Sequence, residues 1–406
     1  MRLFFLFAIG LSLFGCSASN QLTDWPNYRG PGHDNRVAPE GLDTTLDGGE
    51  ALVAWRKDVG RGYTVVTTAN GLAYTAGWRD GQDTVLCFEP ATGKQRWAYS
   101  YEHDDYDQVG EWPRSNEGGP VASPAIADGR LFHTSRDGRI FCLDAKSGVL
   151  IWQADMTEVF EIEQPRWGFA ASPVVIDGVV YMDLGKQVAM RADNGEVVWQ
   201  TKDFTQSYSS PTPFTHAGRD LLAAFPLDGL VITDRKTGEV VVHHPWKSNQ
   251  PCHTASPVVF HYDKLFISSG FNSGGAVLQF DGTSVKVIWE NKEMCNTMAT
   301  SLVHDGHLYG FDQKVLRCVD ALTGEERWAK RGLGQGTLLQ IGGTMLVLSE
   351  TGQLMSAPLS PEGFQPGEAI ELIDFHKVWS CPVIANGRLF AKDPLGELVC
   401  LDLTRR

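Results

Sequence analysis

The sequence predicts an all-β chain, an eight-bladed β-propeller of four-stranded antiparallel blades closed by its N-terminal strand. Three observations lead there. One element, a small residue followed by Ser-Pro, two apolar residues and an Asp/Asn-Gly turn, recurs at Ala122-Ser123-Pro124, Ala171-Ser172-Pro173, Ser209-Ser210-Pro211 and Ala255-Ser256-Pro257. Degenerate copies begin near Tyr63, Thr300-Ser301, Thr337 and Ser380-Cys381-Pro382, giving eight copies in all. Each copy holds four short β-branched or aromatic runs separated by Gly, Asp and Asn, which is hairpin chemistry, and no stretch keeps a capped helical period. Four antiparallel strands repeated every forty-odd residues or so make a propeller blade, whereas a linear solenoid uses a shorter period.

The third observation is a complementarity of the ends. The last copy, from Cys381 to Leu403, has three strands and stops before its fourth. The segment Ala51-Leu52-Val53-Ala54-Trp55-Arg56-Lys57 resembles a fourth strand with no three strands before it. Pairing the two hides edges that would otherwise invite aggregation.

Composition bounds the function. The 406 residues carry 35 Lys and Arg against 49 Asp and Glu, a formal charge of −14 with no basic run, so nucleic acid is excluded as a partner. An apolar fraction of 42% builds a full core, and 21% charged residues is too few for a disordered chain.

In chain order, residues 1–15 read as a signal peptide, with Arg2 before an apolar stretch from Leu3 to Phe14 that is too short to span a bilayer. Leu13-Phe14-Gly15-Cys16 resembles a bacterial lipobox, which implies lipidation at Cys16 and an exported, periplasm-facing or surface protein held at the outer membrane by that anchor only. Residues 16–48 are expected to be an extended arm over the propeller, because Pro26, Pro31 and the glycines forbid a helix. Residues 49–404 are the propeller, expected to be monomeric.

Within it, a turn of the form Asp-x-x-Thr/Ser/Asn-Gly precedes a Trp strand: Thr92-Gly93 to Trp97, Ser147-Gly148 to Trp152, Asn194-Gly195 to Trp199 and Thr323-Gly324 to Trp328. Trp55 and Trp289 are read as further copies, and Val242 replaces the Trp after Thr237-Gly238. These six Trp are assigned to docking against the neighbouring blade.

This repeat resembles the tryptophan-docking repeat of the pyrroloquinoline quinone (PQQ)-like propeller superfamily, and Trp25-Pro26-Asn27-Tyr28-Arg29-Gly30-Pro31 looks like the opening of its compact exported members. The superfamily includes quinoprotein alcohol dehydrogenases and a lipoprotein of outer-membrane protein assembly. For the dehydrogenases the resemblance implies PQQ on the axis, stacked between a Trp and a disulfide of adjacent cysteines. It also implies Ca²⁺ on Glu, Asn and Asp oxygens and an Asp base. This chain has no Cys-Cys pair and no Cys-x-x-Cys-His haem motif, so no cofactor is assigned and no catalytic residue or metal ligand is named. Cys87, Cys142, Cys318 and Cys400 share one repeat position and read as core. Cys252, Cys295 and Cys381 stand instead at blade entries.

Binding candidates are the polar and aromatic tips of the loops entering each blade: Arg61, Tyr63, Arg114, Asn116, Arg166, Trp167, Tyr208, His253, Asn296, Gln335 and Trp379, expected to ring one mouth of the channel. Aromatic faces with Arg, Asn and His suit a planar, anionic or sugar-like ligand. The insertion from Tyr99 to Gly119 reads as a solvated, Ca²⁺-stabilised or partner-facing acidic loop, and Glu158, Glu161 and Glu163 deepen its negative patch. The first functional reading is a non-catalytic envelope module that binds a small ligand or a protein. Its rivals are a PQQ-dependent alcohol or sugar dehydrogenase and an outer-membrane assembly scaffold.

Overall fold

The turns dictate the architecture. Between the first and second strands of most blades stands a pair of left-handed residues, such as Asn70-Gly71, Asp128-Gly129, Asp177-Gly178, Asp305-Gly306 and Asn386-Gly387. Two consecutive positive φ values define the tight hairpin turn whose twist matches the flanking strands. The computed structural model describes residues 23–103, 118–374 and 377–404. Among them, eight antiparallel sheets run outward from an axis. The inner strands are Thr67–Ala69, Ala125–Ala127, Val174–Ile176, Thr212–His216, Val258–Phe260, Leu302–His304, Thr337–Ile341 and Val383–Ala385. Blades 1 to 8 are numbered by these strands. Cys16 and the signal segment, and Arg114 and Asn116 of the acidic insertion, lie outside the described residues.

Closure uses the N-terminal strand. Val53–Asp58 pairs antiparallel with Glu397–Asp402 as the outer strand of blade 8, with Trp55 opposite Cys400 and Lys57 opposite Leu398. Blade 7 departs from the four-stranded plan. The arm's Arg36–Val37 adds a parallel fifth strand to Thr337–Ile341, and its outer strand is only Ile370–Glu371. Among the described residues there is one α-helix, Met156–Phe160, and no helix is long and apolar enough to cross a membrane.

The Trp repeat is an inter-blade fastener. Indole Nε1 of Trp55, Trp97, Trp152, Trp199, Trp289 and Trp328 donates to the carbonyls of Pro90, Ala145, Ala192, Arg235, Ala321 and Ser360, at 2.9–3.1 Å. Each acceptor lies in the turn of the next blade. For Trp55, Trp97, Trp152, Trp199 and Trp289 the Gly of that turn lies against the ring, which explains why the motif needs it twice over. At Gly148, φ is +75° and an added Cβ would stand 2.6 Å from Trp97 ring carbons, whereas Gly129, at φ +74°, opens onto empty space. Gly129→Ala is therefore expected to cost about 1 kcal/mol, the left-handed penalty, and Gly148→Ala about 3 kcal/mol because the ring must also shift. Urea melts of the two variants check this, and equal losses would refute the docking explanation.

The Ser-Pro element has a matching role at the axis. The Ser123 hydroxyl accepts from Val65 N–H, Ser172 from Ser123 N–H, Ser210 from Ser172 N–H and Thr300 from Ser256 N–H, at 2.9–3.0 Å. Each bond crosses from one blade to the next just before the inner strand. Pro follows the serine because that position carries no ladder donor.

Candidate functional site

All eight inner strands leave the mouth face and end on the opposite face, where the arm lies. Thr68 N–H donates to Trp25 O at 2.8 Å, Ile126 N–H to Pro26 O at 2.8 Å and Gln340 N–H to Asn35 O at 2.9 Å. From there Tyr28 and Arg29 enter the axis. Arg29 is buried, with one guanidinium nitrogen 3.1 Å from Thr212 Oγ1 and 3.3 Å from Pro257 O, while its Nε has no partner. Burial lowers its pKa, and Asp34 opposes that effect. Burial and the nearby Cys381 push the Tyr28 phenol up to about 12.

Above Tyr28 is an axial cavity of about 310 Å³. Its wall follows the repeat. Two residues before the serine position the eight copies place Tyr63, Val121, Ala170, Tyr208, Thr254, Met298, Gln335 and Trp379, and all but Gln335 line the cavity. Trp167, Ser172, Ser210, Cys252, Phe271 and Tyr28 complete the lining. The spacing i, i+2 in Ala170/Ser172, Tyr208/Ser210 and Cys252/Thr254 is that of extended chain, whose alternate side chains face one way. Ser172 and Ser210 accept from their neighbours' N–H groups, so their hydroxyl protons remain for the cavity.

The rings are held. Tyr63 and Trp379 stack across the seam between blades 8 and 1, centroids 5.9 Å apart and 19° from parallel. Trp379 Nε1 donates to Glu350 Oε1 at 3.1 Å. Trp167 meets Tyr208 at 5.3 Å and 58°, and its carbonyl accepts from Arg136 Nε at 3.0 Å and from a terminal nitrogen at 2.8 Å. Glu350 and Arg136 are positioning residues that sequence reading missed, because each stands after a second strand with no motif around it.

Of the sequence candidates, Tyr63, Trp167, Tyr208 and Trp379 come together in the wall. The others do not. His253 is fully buried, stacked on Phe225 at 4.2 Å and 18°, with Nδ1 3.1 Å from Pro226 O. Burial drives its pKa to about 4, and its ring contacts join the entry of blade 5 to Phe225 and Pro226 of blade 4. Asn296 is also buried, donating to Phe311 O at 3.1 Å and accepting from Ser301 Oγ at 2.9 Å. Arg61 bridges to Trp78 through both backbone groups, and its guanidinium lies 5.8 Å from that ring. Arg166 covers Trp167 from outside the cavity at 5.3 Å. Gln335 is turned toward Glu350, to which its N–H donates at 3.2 Å.

The wall does not fit PQQ with Ca²⁺. A hard cation needs six to eight oxygens, including carboxylates. Among the described residues the lining supplies hydroxyls, one thiol and one thioether, with no carboxylate, amide or cation. Cys252 is the one cysteine there and is free, burial raising its pKa to about 11, so no disulfide platform exists among these residues. Among them no group of three His, Cys, Asp or Glu is placed to hold a metal ion.

Comparisons place this geometry among known proteins. A polyvinylalcohol dehydrogenase from Pseudomonas sp is 30% identical over 172 residues, 37% of this chain and 26% of that protein, so the match spans about a quarter of the relative's length. The crystal structure of BamB from Moraxella catarrhalis superposes with a TM-score of 0.63 at 15% identity, over 86% of this chain and 99% of that one. A quinohemoprotein alcohol dehydrogenase from Comamonas testosteroni gives 0.68 at 13% identity, over 95% and 81%. At such identities these two structures establish the fold. The family model described as outer membrane protein assembly factor BamB matches residues 81–330, more than half of the sequence, and the chain belongs to this family of PQQ-like β-propellers.

Proposed function

We propose that this protein is an exported, N-terminally lipid-anchored binding module of the cell envelope that holds a flat, uncharged ring in its axial cavity and performs no chemistry on it. The observation that carries the reading is the wall itself: aromatic side chains from several blades and the arm, short hydroxyls between them, and no ionised group among the described lining residues. Aromatic faces contribute stacking and a few hydroxyls set orientation, which is the usual division of labour in a ligand pocket. A cation is disfavoured because the buried Arg29 charge stands behind Tyr28 at low dielectric.

A thermal-shift screen of ring compounds tests this. A ligand at a hundred times its Kd stabilises by about 2.7 kcal/mol, enough to read as a shift in Tm. Trp379→Ala and Trp167→Ala are each expected to weaken binding tenfold or more, and hits unchanged in both variants would overturn the reading.

The dehydrogenase reading has one specific support, the match to polyvinylalcohol dehydrogenase. It requires an ortho-quinone absorbance after incubation with PQQ and Ca²⁺, together with dye reduction by an alcohol. The proposal expects neither.

A further inference from the structure

The axial cavity is not isolated. On the mouth face a second hollow of about 410 Å³ runs over blades 3 and 4, and Trp167 and Tyr208 line both. This groove is built by the segment after the helix Met156–Phe160 on one side and the 203–206 loop on the other. The two hollows therefore adjoin at this pair of aromatic rings, one on the axis and one outward of it.

We infer that the two hollows act as one trough that binds a linear carbohydrate chain, with its terminal sugar in the axial cavity and the following sugars along the groove. The inference rests on the ring-binding reading of the cavity and adds the ligand's class and length.

Three features select that chemistry. First, aromatic surface continues beyond the turning point: Phe204 lines the groove, packed edge-on against His243 at 5.2 Å. Sugar rings present apolar C–H faces that stack on such surfaces. Second, Glu161, Glu163 and Asp203 line the same groove, so its polar groups are rich in acceptors. Two cations line the groove as well: Lys186, whose ammonium donates to Phe160 O at 3.0 Å and pairs with Asp203 at 2.9 Å, and Arg166, whose guanidinium lies 5.3 Å from the Trp167 ring, so the three carboxylates still outnumber them. A chain of hydroxyls supplies the matching donors without charge. Third, the axial end stands over the buried Arg29, which a neutral sugar tolerates and a lysine or arginine side chain does not.

The test is calorimetric titration of the full soluble chain with glucose, cellobiose, cellotetraose and cellohexaose, and with the matching chitin and mannan series. A Lys-rich and a neutral peptide of similar length serve as competitors. One series is expected to gain at least tenfold in affinity between the mono- or disaccharide and the tetrasaccharide. Phe204→Ala is expected to flatten that gain, and Trp379→Ala to lower affinity at every length. Equal affinity at all lengths would overturn the trough while leaving the cavity reading in place. Binding of planar aromatics with no sugar response would also overturn it, as would tighter binding of either peptide. No response to sugars or to any ring compound would remove both readings together.

Discussion

Trp55→Ala is expected to lower the unfolding free energy by about 3 kcal/mol and to loosen one seam of the ring rather than the whole. Truncating a large aromatic in a packed site costs about 3–5 kcal/mol, and the lower end applies because this ring is part-exposed. Trp55 meets Phe88 edge-on at 5.6 Å and Phe390 at 6.1 Å, and its N–H donates to Pro90 O at 2.9 Å. Those partners belong to blades 1 and 8. The chain runs on directly from Val53–Asp58 into blade 1, as it does at the other junctions, but blade 8 alone takes its outer strand from one end of the sequence and its three other strands from the other end, so non-covalent contacts close the ring inside that blade. Other ties include Lys57 Nζ to Gly93 O at 3.3 Å and Lys392 Nζ to Ala76 O at 3.0 Å between the two blades, while the strand pairing and the Arg56–Glu397 ion pair at 3.0 Å join the two parts of blade 8. The exposed ion pair contributes little. Trp152→Ala removes equivalent contacts inside a continuous stretch, Trp152 donating to Ala192 O at 3.1 Å, and serves as the reference. Hydrogen exchange should rise at blades 8 and 1 in the first variant and stay near global values in the second. A smaller loss for Trp55→Ala than for Trp152→Ala, with no localised exchange, would show that the seam does not limit stability.

The second large effect is a gain. Lys392→Met is expected to raise stability near neutral pH, by about 2 kcal/mol. Lys392 is 2% exposed, and its ammonium reaches Ala76 O at 3.0 Å and Thr64 Oγ1 at 3.4 Å with no carboxylate in contact. Burial lowers its pKa to about 7, a shift that Asp393, Asp83 and Asp58 partly oppose. A base with a lowered native pKa binds its proton more weakly folded than unfolded. This group therefore makes stability rise with pH between about 7 and the ordinary lysine value, and the benefit is lost as pH falls back to 7. Replacing it keeps the Ala76 carbonyl paired, because Thr64 Oγ1 also donates to Ala76 O at 2.7 Å, while the buried Asp83 and Asp393 lose a nearby positive charge that offsets part of the gain. Buried charges exchanged for apolar groups of similar volume commonly stabilise by about 1–4 kcal/mol. Melts at pH 6.5, 8 and 9.5 should show the variant's advantage shrinking as pH rises. A variant less stable at every pH would mean that the ammonium is a required strut.

The fold was legible because its fasteners are local words. The Thr-Gly turn and the Trp that follows it serve one contact, and the Ser-Pro step serves another, so repetition of the words implied repetition of the contacts. The missing outer strand of the last copy was legible for the same reason. The site was legible only in part. Tyr63, Trp167, Tyr208 and Trp379 were found as aromatic loop tips, but His253 was chosen although Cys252 and Thr254 beside it face the cavity. In extended chain adjacent side chains point opposite ways, so the informative signal was the position two before the serine, not the most reactive residue nearby. Tyr28 had no such signal. Its place depends on the arm's path across blades 1, 2 and 7, fixed by contacts such as Gln340 N–H to Asn35 O. Asp34, the ion partner of Arg36, similarly acts on Arg29 only once the arm is folded back.

The arm crosses the face opposite the opening, and Thr23 leaves it beside Asn386, whose N–H donates to the Thr23 carbonyl at 3.4 Å. On the proposed anchoring at Cys16, the tether would reach the body at Thr23, on the face opposite the cavity mouth. That placement would leave the opening on the far side of the body from the anchor.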